Sequence, residues 1–246
     1  MLQINKIYNE NNLETMSRMP DNFIDLTVTS PPYNMNLRIR NGKYCSRQIV
    51  KELSTKYESF SDNMPIDDFY EHHKRVLTEL LRVSKIIFYN IQIVTGSKRA
   101  FFKLIGDFSN SLKDIIVWDK VNAQPSMSDK VLNRQSELIL VFCNDGAISR
   151  KYNTFNAKRG TVSDTWAIKK QKSQSIKHGA TFPEELAERI ITLFSDSNAL
   201  IYDPFIGTGT TAKMALINGR SFIGSEISSE YCDIANKRIA EFTPWN

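Results

Sequence analysis

The sequence predicts an α/β fold built on one mixed, largely parallel sheet. Three observations predict it. Short apolar runs alternate with helical patterns along the chain, and two of those runs open directly into turns rich in proline or glycine. A chain of 246 residues also suits one core with insertions better than two independent cores. Residues 1–246 are accordingly read as a single domain.

Buried strands are read over 23–29, 85–91, 114–118, 137–142, 199–202 and 221–225, each a short apolar run bounded by polar or turn residues. A helix is read over 65–83, where Ile66, Phe69, Val76, Leu77 and Leu80 share one face and Pro65 suits a first turn. Thr181-Phe182-Pro183-Glu184 reads as a capping box. The threonine hydroxyl accepts from an early helix amide and Glu184 reaches back, ahead of the stripe Leu186, Ile190 and Leu193. Gly219 ends the helix that begins near Thr210. Two stretches break the alternation: 35–59 has no clear strand pattern, and 146–178 is long, polar and basic. Loops of that length in a compact domain are usually functional or mobile, so both read as working surfaces.

Composition narrows the function. A formal charge of +5 suggests a polyanion partner without establishing one, and 41% hydrophobic with 24% charged residues excludes a disordered chain. The opening MLQINKIYNE lacks a basic segment followed by an apolar stretch, and apolar runs such as 138–143 are too short to span a bilayer. A cytoplasmic setting without membrane contact is therefore expected. Cys45, Cys143 and Cys232 form no CxxC pair, so neither a zinc site nor a disulfide framework is read. His72 and His73 lie in the 65–83 helix without partners at ligand spacing; surface or groove positions are expected, and no metal.

Two motifs carry chemistry. Thr29-Ser30-Pro31-Pro32-Tyr33-Asn34 leaves the 23–29 strand. The prolines stiffen the backbone and leave carbonyl acceptors, Ser30 adds a hydroxyl and Tyr33 a flat ring, a set that suits a planar base bearing an amino group. Read alone, it is equally a Pro-Pro turn with Tyr33 packed on the core. Asp203-Pro204-Phe205-Ile206-Gly207-Thr208-Gly209-Thr210-Thr211 follows the 199–202 strand and precedes a helix. Its glycines permit a tight turn and close ligand approach, and the helix start supplies amides for a carboxylate or similar anion. A nucleotide-like ligand is indicated. GxxxxGK[ST] is absent and Lys213 lies too far along, which counts against a phosphate-binding loop. Glu226, ending the next strand, is placed to accept from both hydroxyls of a ribose; its plainer reading is a helix-start carboxylate beside Ser228.

TSPPYN and DPFIGTGTT, with FPEEL between them and FIGSEISSEY after, resemble the S-adenosylmethionine-dependent amino-methyltransferases of DNA in the permuted β arrangement. There the catalytic motif precedes the cofactor motif. The resemblance runs over nearly the whole chain, since IYNENNLETMSRMPDNFIDLTVTSPPYN, VWDKVNAQP, and DTWAIKK to HGATFPEELAERII match in kind and order. It implies a Rossmann-like methyltransferase fold with helices on both faces of the sheet and a circularly permuted motif order. By the same resemblance, Ser30 and the Pro31 carbonyl accept hydrogens from the exocyclic amine beside Pro32, Tyr33 stacks on the extruded base, and Asn34 shapes the pocket. Asp203, Phe205, Gly207, Thr208, Gly209 and Thr210, with Phe182, would hold the methionine portion of S-adenosylmethionine, and Glu226 its ribose. The family's usual opening GD pair is Glu10-Asn11 here and its HP is His178-Gly179, so Asn11 and His178 are carried as cofactor residues with altered contacts.

The chemistry explains the set. An exocyclic amine is a poor nucleophile because its lone pair is delocalised into the ring, and two in-plane acceptors draw it toward tetrahedral geometry. Methylation of a cytosine ring carbon would instead need a thiolate, and none of the three cysteines follows a proline as in that enzyme class. In duplex DNA the base must first be flipped, at a cost of about a few kcal/mol.

DNA contact is read from the two irregular stretches. Residues 146–178 hold eight lysines and arginines, among them Lys158, Arg159, Lys169, Lys170 and Lys172, against Asp164 alone. They read as a target-recognition insert, with Trp166 as its core anchor. Residues 35–59, which include Arg38 and Arg40, read as a mobile loop closing over the target strand. By the same resemblance, Ser30 in place of Asp is similar to the cytosine-N4-directed members, whereas Asn34 is also common among the adenine-N6-directed ones, which leaves a slight lean to cytosine. RNA or a protein amide as acceptor, and a non-enzymatic DNA-binding protein with a vestigial pocket, are the alternatives. A cognate restriction endonuclease is a candidate partner, and a monomer or homodimer is expected.

Overall fold

The computed structural model describes residues 2–35, 37–40, 43–46, 63–122, 129–145, 149–170 and 182–242. Its first elements are β1 (Lys6–Tyr8), α1 (Asn12–Ser17), β2 (Leu26–Thr29), β3 (Leu37–Arg40), β4 (Lys43–Ser46), α2 (Ile66–Val83), β5 (Ile87–Ile91) and α3 (Lys98–Asp107). There follow β6 (Leu112–Asp119), β7 (Ser136–Phe142), β8 (Thr165–Ala167), α4 (Glu184–Phe194), β9 (Leu200–Asp203), α5 (Thr210–Ile217), β10 (Ser221–Ser225) and α6 (Ser229–Ala240). All six predicted strands are present.

Eight strands form one sheet in the order β1-β10-β9-β2-β5-β7-β6-β8, and β3 pairs with β4 as a separate antiparallel hairpin. From β1 through β5 every neighbouring pair is parallel; β7 runs antiparallel to both β5 and β6, and β8 is parallel to β6. The expected mixed, mostly parallel sheet is thus observed. Its central strands are buried on both faces, which is why they read as continuous apolar runs. In β5, Phe88 joins the cluster built on Leu186, Ile190, Ala212, Ala235 and Ile239 of α4, α5 and α6. Its neighbours Ile87 and Tyr89 join the cluster of Met16, Phe69, Leu77, Phe101 and Leu104 from α1, α2 and α3. Strand alternation therefore sorts adjacent residues onto two helical layers.

Chain direction sets the site. From β2 the chain passes through α2 to β5 on one side, and from β9 through α5 to β10 on the other, so the strand order diverges between the paired neighbours β2 and β9. A crevice at the carboxyl ends of the strands belongs at such a divergence. The Ser30 and Asp203 motifs both begin there.

Several expectations need correction. Within 35–59 the structure builds the β3–β4 hairpin, with Leu37 opposite Ser46 and Arg40 opposite Lys43. Arg38 and Arg40 belong to its first strand; residues 47–59 lie outside the described residues. Within 146–178, β8 adds to the sheet edge, Asn156 bonds the α4 terminus at Thr192 and Ser195, and Tyr152 packs on Phe194. This part is docked on the core. Trp166 is 2% exposed and donates its indole N–H to the Ser163 carbonyl at 2.8 Å, the anchoring role expected of it. The capping-box reading rests on Thr181, which lies outside the described residues. Helix α4 starts after Pro183, and Glu184 pairs with Lys213 at 2.8 Å and with Arg238. His73 is not at the surface. It is buried against Phe69 and Phe101, with Phe205 beyond, and bonds the Tyr89 hydroxyl, because the helix face presented to the sheet includes position 73.

Candidate active site

The two motifs meet across a strand pair. Leu26 and Thr27 of β2 lie opposite Ile201 and Tyr202 of β9, so the residues that follow, Thr29 and Asp203, arrive side by side. The Thr29 hydroxyl donates to Asp203 Oδ1 at 2.7 Å, a bond between positions 174 residues apart. Asp203 also accepts from the Phe205 amide at 3.0 Å and from the Thr211 hydroxyl at 2.7 Å. Burial pushes its carboxyl up to about 6 against the pull of those three bonds, and Glu226 adds to the rise.

Beyond Asp203 the chain turns through Gly207 (φ +52°) and Gly209 (φ +83°) into α5. At Gly209 a Cβ would stand 2.9 Å from the Ala235 Cβ, so glycine both permits the left-handed backbone and lets α6 approach. Glu226, just past β10, accepts from the Gly207 amide at 3.0 Å and the Ser228 amide at 2.9 Å. Its helix-start reading is thereby met, and two bonds leave a carboxylate with further acceptor capacity. Thr208 and Thr210 point their hydroxyls to Arg238, at 3.4 and 3.0 Å, tying the turn to α6. Phe205 lies against the rings of His72 and His73, and Phe182 against Trp118.

The donor and acceptor set fits S-adenosylmethionine. That molecule carries an ammonium, a carboxylate and a ribose diol. The crevice offers two buried carboxylates in Asp203 and Glu226, the amides that open α5, and Asn12, whose Oδ1 is buried without a hydrogen-bond partner. Asn12 also donates to the Pro204 carbonyl at 3.2 Å, which places it against the turn. The neighbouring Asn11, expected to face the cofactor, is exposed and caps α1 by accepting from the Leu13 amide at 2.9 Å. His178 lies outside the described residues.

On the β2 side, Ser30 and Tyr33 join a network that has no local mark in the sequence. Ser30 Oγ lies 2.6 Å from the Tyr33 hydroxyl, which donates to Glu137 Oε2 at 3.2 Å. Asn90 of β5 donates through Nδ2 to the Tyr33 hydroxyl and to Glu137 Oε2, both at 2.7 Å. Glu137 in turn meets the Lys120 ammonium at 3.2 Å, a pair whose side chains are 8% and 7% exposed. Burial, then the Glu137 charge, holds the Tyr33 phenol protonated, well above the usual tyrosine range. Glu137 is here because β7 runs antiparallel and starts at the carboxyl edge; Lys120 is here because β6 ends there. Pro31 is buried and Pro32 half-buried. Asn34 is buried with φ +56° and donates to the Met64 carbonyl at 2.8 Å and the Gly96 carbonyl at 3.3 Å, bracing the turn behind Tyr33.

Lys158, Arg159, Lys169 and Lys170 are exposed, as phosphate contact requires, and Lys172 lies outside the described residues. Among the described residues, no cluster of three or more His, Cys, Asp or Glu could hold a metal ion, and no helix is long and apolar enough to cross a membrane. A cavity of about 360 Å³ opens at the opposite, amino edge of the sheet between Asp25, Lys85, Phe194 and Asn198, and touches none of the residues above.

The chain has relatives among known proteins. The chain is 27% identical over 267 residues to the type II methyltransferase M.BglII of Bacillus subtilis, covering 94% of this chain and 68% of that one. Among solved structures it superposes on the PvuII DNA methyltransferase (cytosine-N4-specific) with a TM-score of 0.71 at 17% identity, over 95% of this chain and 85% of the other. It superposes on the M1.HpyAVI–SAM complex with a TM-score of 0.62 at 21% identity, over 95% and 98%. At such identities these two show the shared Rossmann-like fold. The family model for N6 and N4 methyltransferases, described as DNA methylase, matches residues 24–237, from the residues leading into β2 to the last turns of α6. Spanning both motifs and the sheet between them, that match makes the chain a member of the DNA methylase family.

Proposed function

We propose that the chain transfers the methyl group of S-adenosylmethionine to the exocyclic amine of a flipped base in DNA, with cytosine N4 as the acceptor. The Thr29–Asp203 bond carries this reading, because it joins the acceptor turn and the cofactor turn in one crevice. When bound, the cofactor supplies a methyl on a positively charged sulfur. Asp203 would take its ammonium, the first amides of α5 its carboxylate, and Glu226 its ribose hydroxyls. Phe182 and Phe205 would flank it, and Asn12 would accept through Oδ1.

On the other side, Ser30 Oγ and the Pro31 carbonyl would accept the two amine hydrogens, drawing the nitrogen lone pair out of the ring. Once the amine nitrogen has taken the methyl from that sulfur, it would release one proton to water. Tyr33, whose hydroxyl is tied inward, would offer its ring to the extruded base, an aromatic contact worth roughly 1–3 kcal/mol against the cost of flipping. Lys158, Arg159, Lys169, Lys170 and Lys172, with Arg38 and Arg40 of the hairpin, would meet phosphates. Residues 1–246 would act as one domain, as a monomer or homodimer in the cytoplasm. The type II name of M.BglII supports a cognate restriction endonuclease as partner.

Incubation with duplex DNA and cofactor, followed by nucleoside mass spectrometry, tests this. N4-methylcytosine is the expected product. N6-methyladenine alone would reassign the base, and preferential labelling of single strands or RNA in competition would reassign the substrate.

A further inference from the structure

We infer that Glu137, charge-balanced by Lys120, fixes the direction of the hydrogen bonds around Tyr33 so that Ser30 presents lone pairs, and not a proton, to the substrate amine. The inference rests on the reading of Ser30 as an amine acceptor. Its ground is proton arithmetic in a buried network.

Each hydroxyl owns one proton. The Ser30–Tyr33 contact at 2.6 Å can run either way, and the direction decides what Ser30 shows to the pocket. If Tyr33 donated to Ser30, the serine proton would turn outward and oppose the N–H groups of the incoming amine. An ionised Glu137 cannot donate and demands donors. It takes one proton from Asn90 Nδ2 at 2.7 Å and one from the Tyr33 hydroxyl at 3.2 Å. The second Asn90 proton goes to the Tyr33 oxygen at 2.7 Å, so the amide cannot flip without setting its oxygen against the carboxylate. With the tyrosine proton committed to Glu137, the short Ser30–Tyr33 bond is formed by the serine proton. Ser30 Oγ is left with acceptor capacity, and its remaining contact, Asn90 Nδ2 at 3.4 Å, is long. Because the phenol stays protonated, Tyr33 passes the effect along without changing charge.

Lys120 completes the device. A buried ion pair is a poor source of stability, since desolvating two charges offsets most of their attraction. Here the ammonium occupies Glu137 Oε1 at 3.2 Å and leaves Oε2 to Asn90 and Tyr33, two bonds behind the acceptor. Glu137 and Lys120 are positioning residues.

The test is the kinetics of Glu137→Gln. With Lys120 present, the introduced amide turns its oxygen to the ammonium and its N–H groups to Tyr33, which reverses the chain of bonds. We expect kcat to fall on the order of 100-fold, the usual effect of losing one preorganised hydrogen-bonding group, with the DNA KM and cofactor Kd changed less than about twofold. In a Tyr33→Phe background the relay is already cut, and adding E137Q should then cost less than about threefold. An apolar pair, Glu137→Met with Lys120→Met, leaves no unpaired buried charge and carries the test if E137Q folds poorly; it too should lose kcat on the order of 100-fold. Wild-type kcat in the folded variants, or the same loss with and without the Tyr33 hydroxyl, would overturn the inference while leaving the methyl-transfer reading intact. A wild-type protein that methylates no DNA would remove that reading as well.

Discussion

Replacing Asp203 with Asn should strengthen the cofactor-free protein and weaken its hold on the cofactor. Asp203 is 5% exposed and its folded-state pKa of about 6 stands above the ordinary 3.8. The sign follows: the folded state holds this proton more tightly than the unfolded one, so near pH 7 the group opposes folding, and that cost fades as pH falls through 6. A shift of about 2 units at 1.36 kcal/mol each amounts to about 3 kcal/mol near neutrality, and less than about 1 kcal/mol survives near pH 4. Asparagine keeps an oxygen for Thr29 and the Phe205 amide and offers N–H to the Thr211 hydroxyl, so the three neighbouring bonds have partners. Urea unfolding across about pH 4 to pH 8 should therefore show D203N more stable by about 2–3 kcal/mol near neutrality, with the gap closing in acid. Calorimetry should show the cofactor bound roughly 10- to 100-fold more weakly, since a charged partner for its ammonium is gone. A variant less stable than wild type at neutral pH, or a gap that does not change with pH, would refute the reasoning.

Two further outcomes are expected. Gly209→Ala places a side chain at φ +83° and 2.9 Å from the Ala235 Cβ, and should lower the unfolding free energy by at least about 2 kcal/mol. Ala235→Gly in the same background should restore part of that loss in a urea titration, because it relieves the contact and not the backbone. Neutralising exposed Lys158, Arg159, Lys169 and Lys170 should flatten the salt dependence of DNA binding by about 0.9 in log–log slope for each phosphate no longer neutralised, measured by fluorescence titration. An unchanged slope would remove them from the interface.

The strands legible in the sequence were those that had to be apolar on both faces. β5 reads Ile-Phe-Tyr-Asn-Ile because Ile87 and Tyr89 meet one helical layer and Phe88 the other. β1 and β8 escaped because three residues at a sheet edge carry no period, and the β3–β4 hairpin because Leu-Arg-Ile-Arg and Lys-Tyr-Cys-Ser join no long apolar run. Glu184 pairs with two cations, Lys213 of α5 and Arg238 of α6, that no local pattern reveals. For the site, Ser30, Tyr33, Asp203, Gly207, Gly209 and Glu226 were readable because tight turns after strands leave local marks. Lys120, Asn90 and Glu137 left none. What gathers them is the antiparallel course of β7 between two upward strands, and direction in a sheet is a property of topology.

The most direct test of the account is a crystal structure of the ternary complex with a duplex and a non-transferring amine analogue of the cofactor. The predicted result places the analogue's carboxylate at the first amides of α5, its ribose on Glu226, and the exocyclic amine of a flipped base within hydrogen-bonding distance of Ser30 Oγ and the Pro31 carbonyl. An analogue seated in the cavity between Asp25, Lys85 and Phe194, or a base amine that Ser30 does not touch, would contradict it.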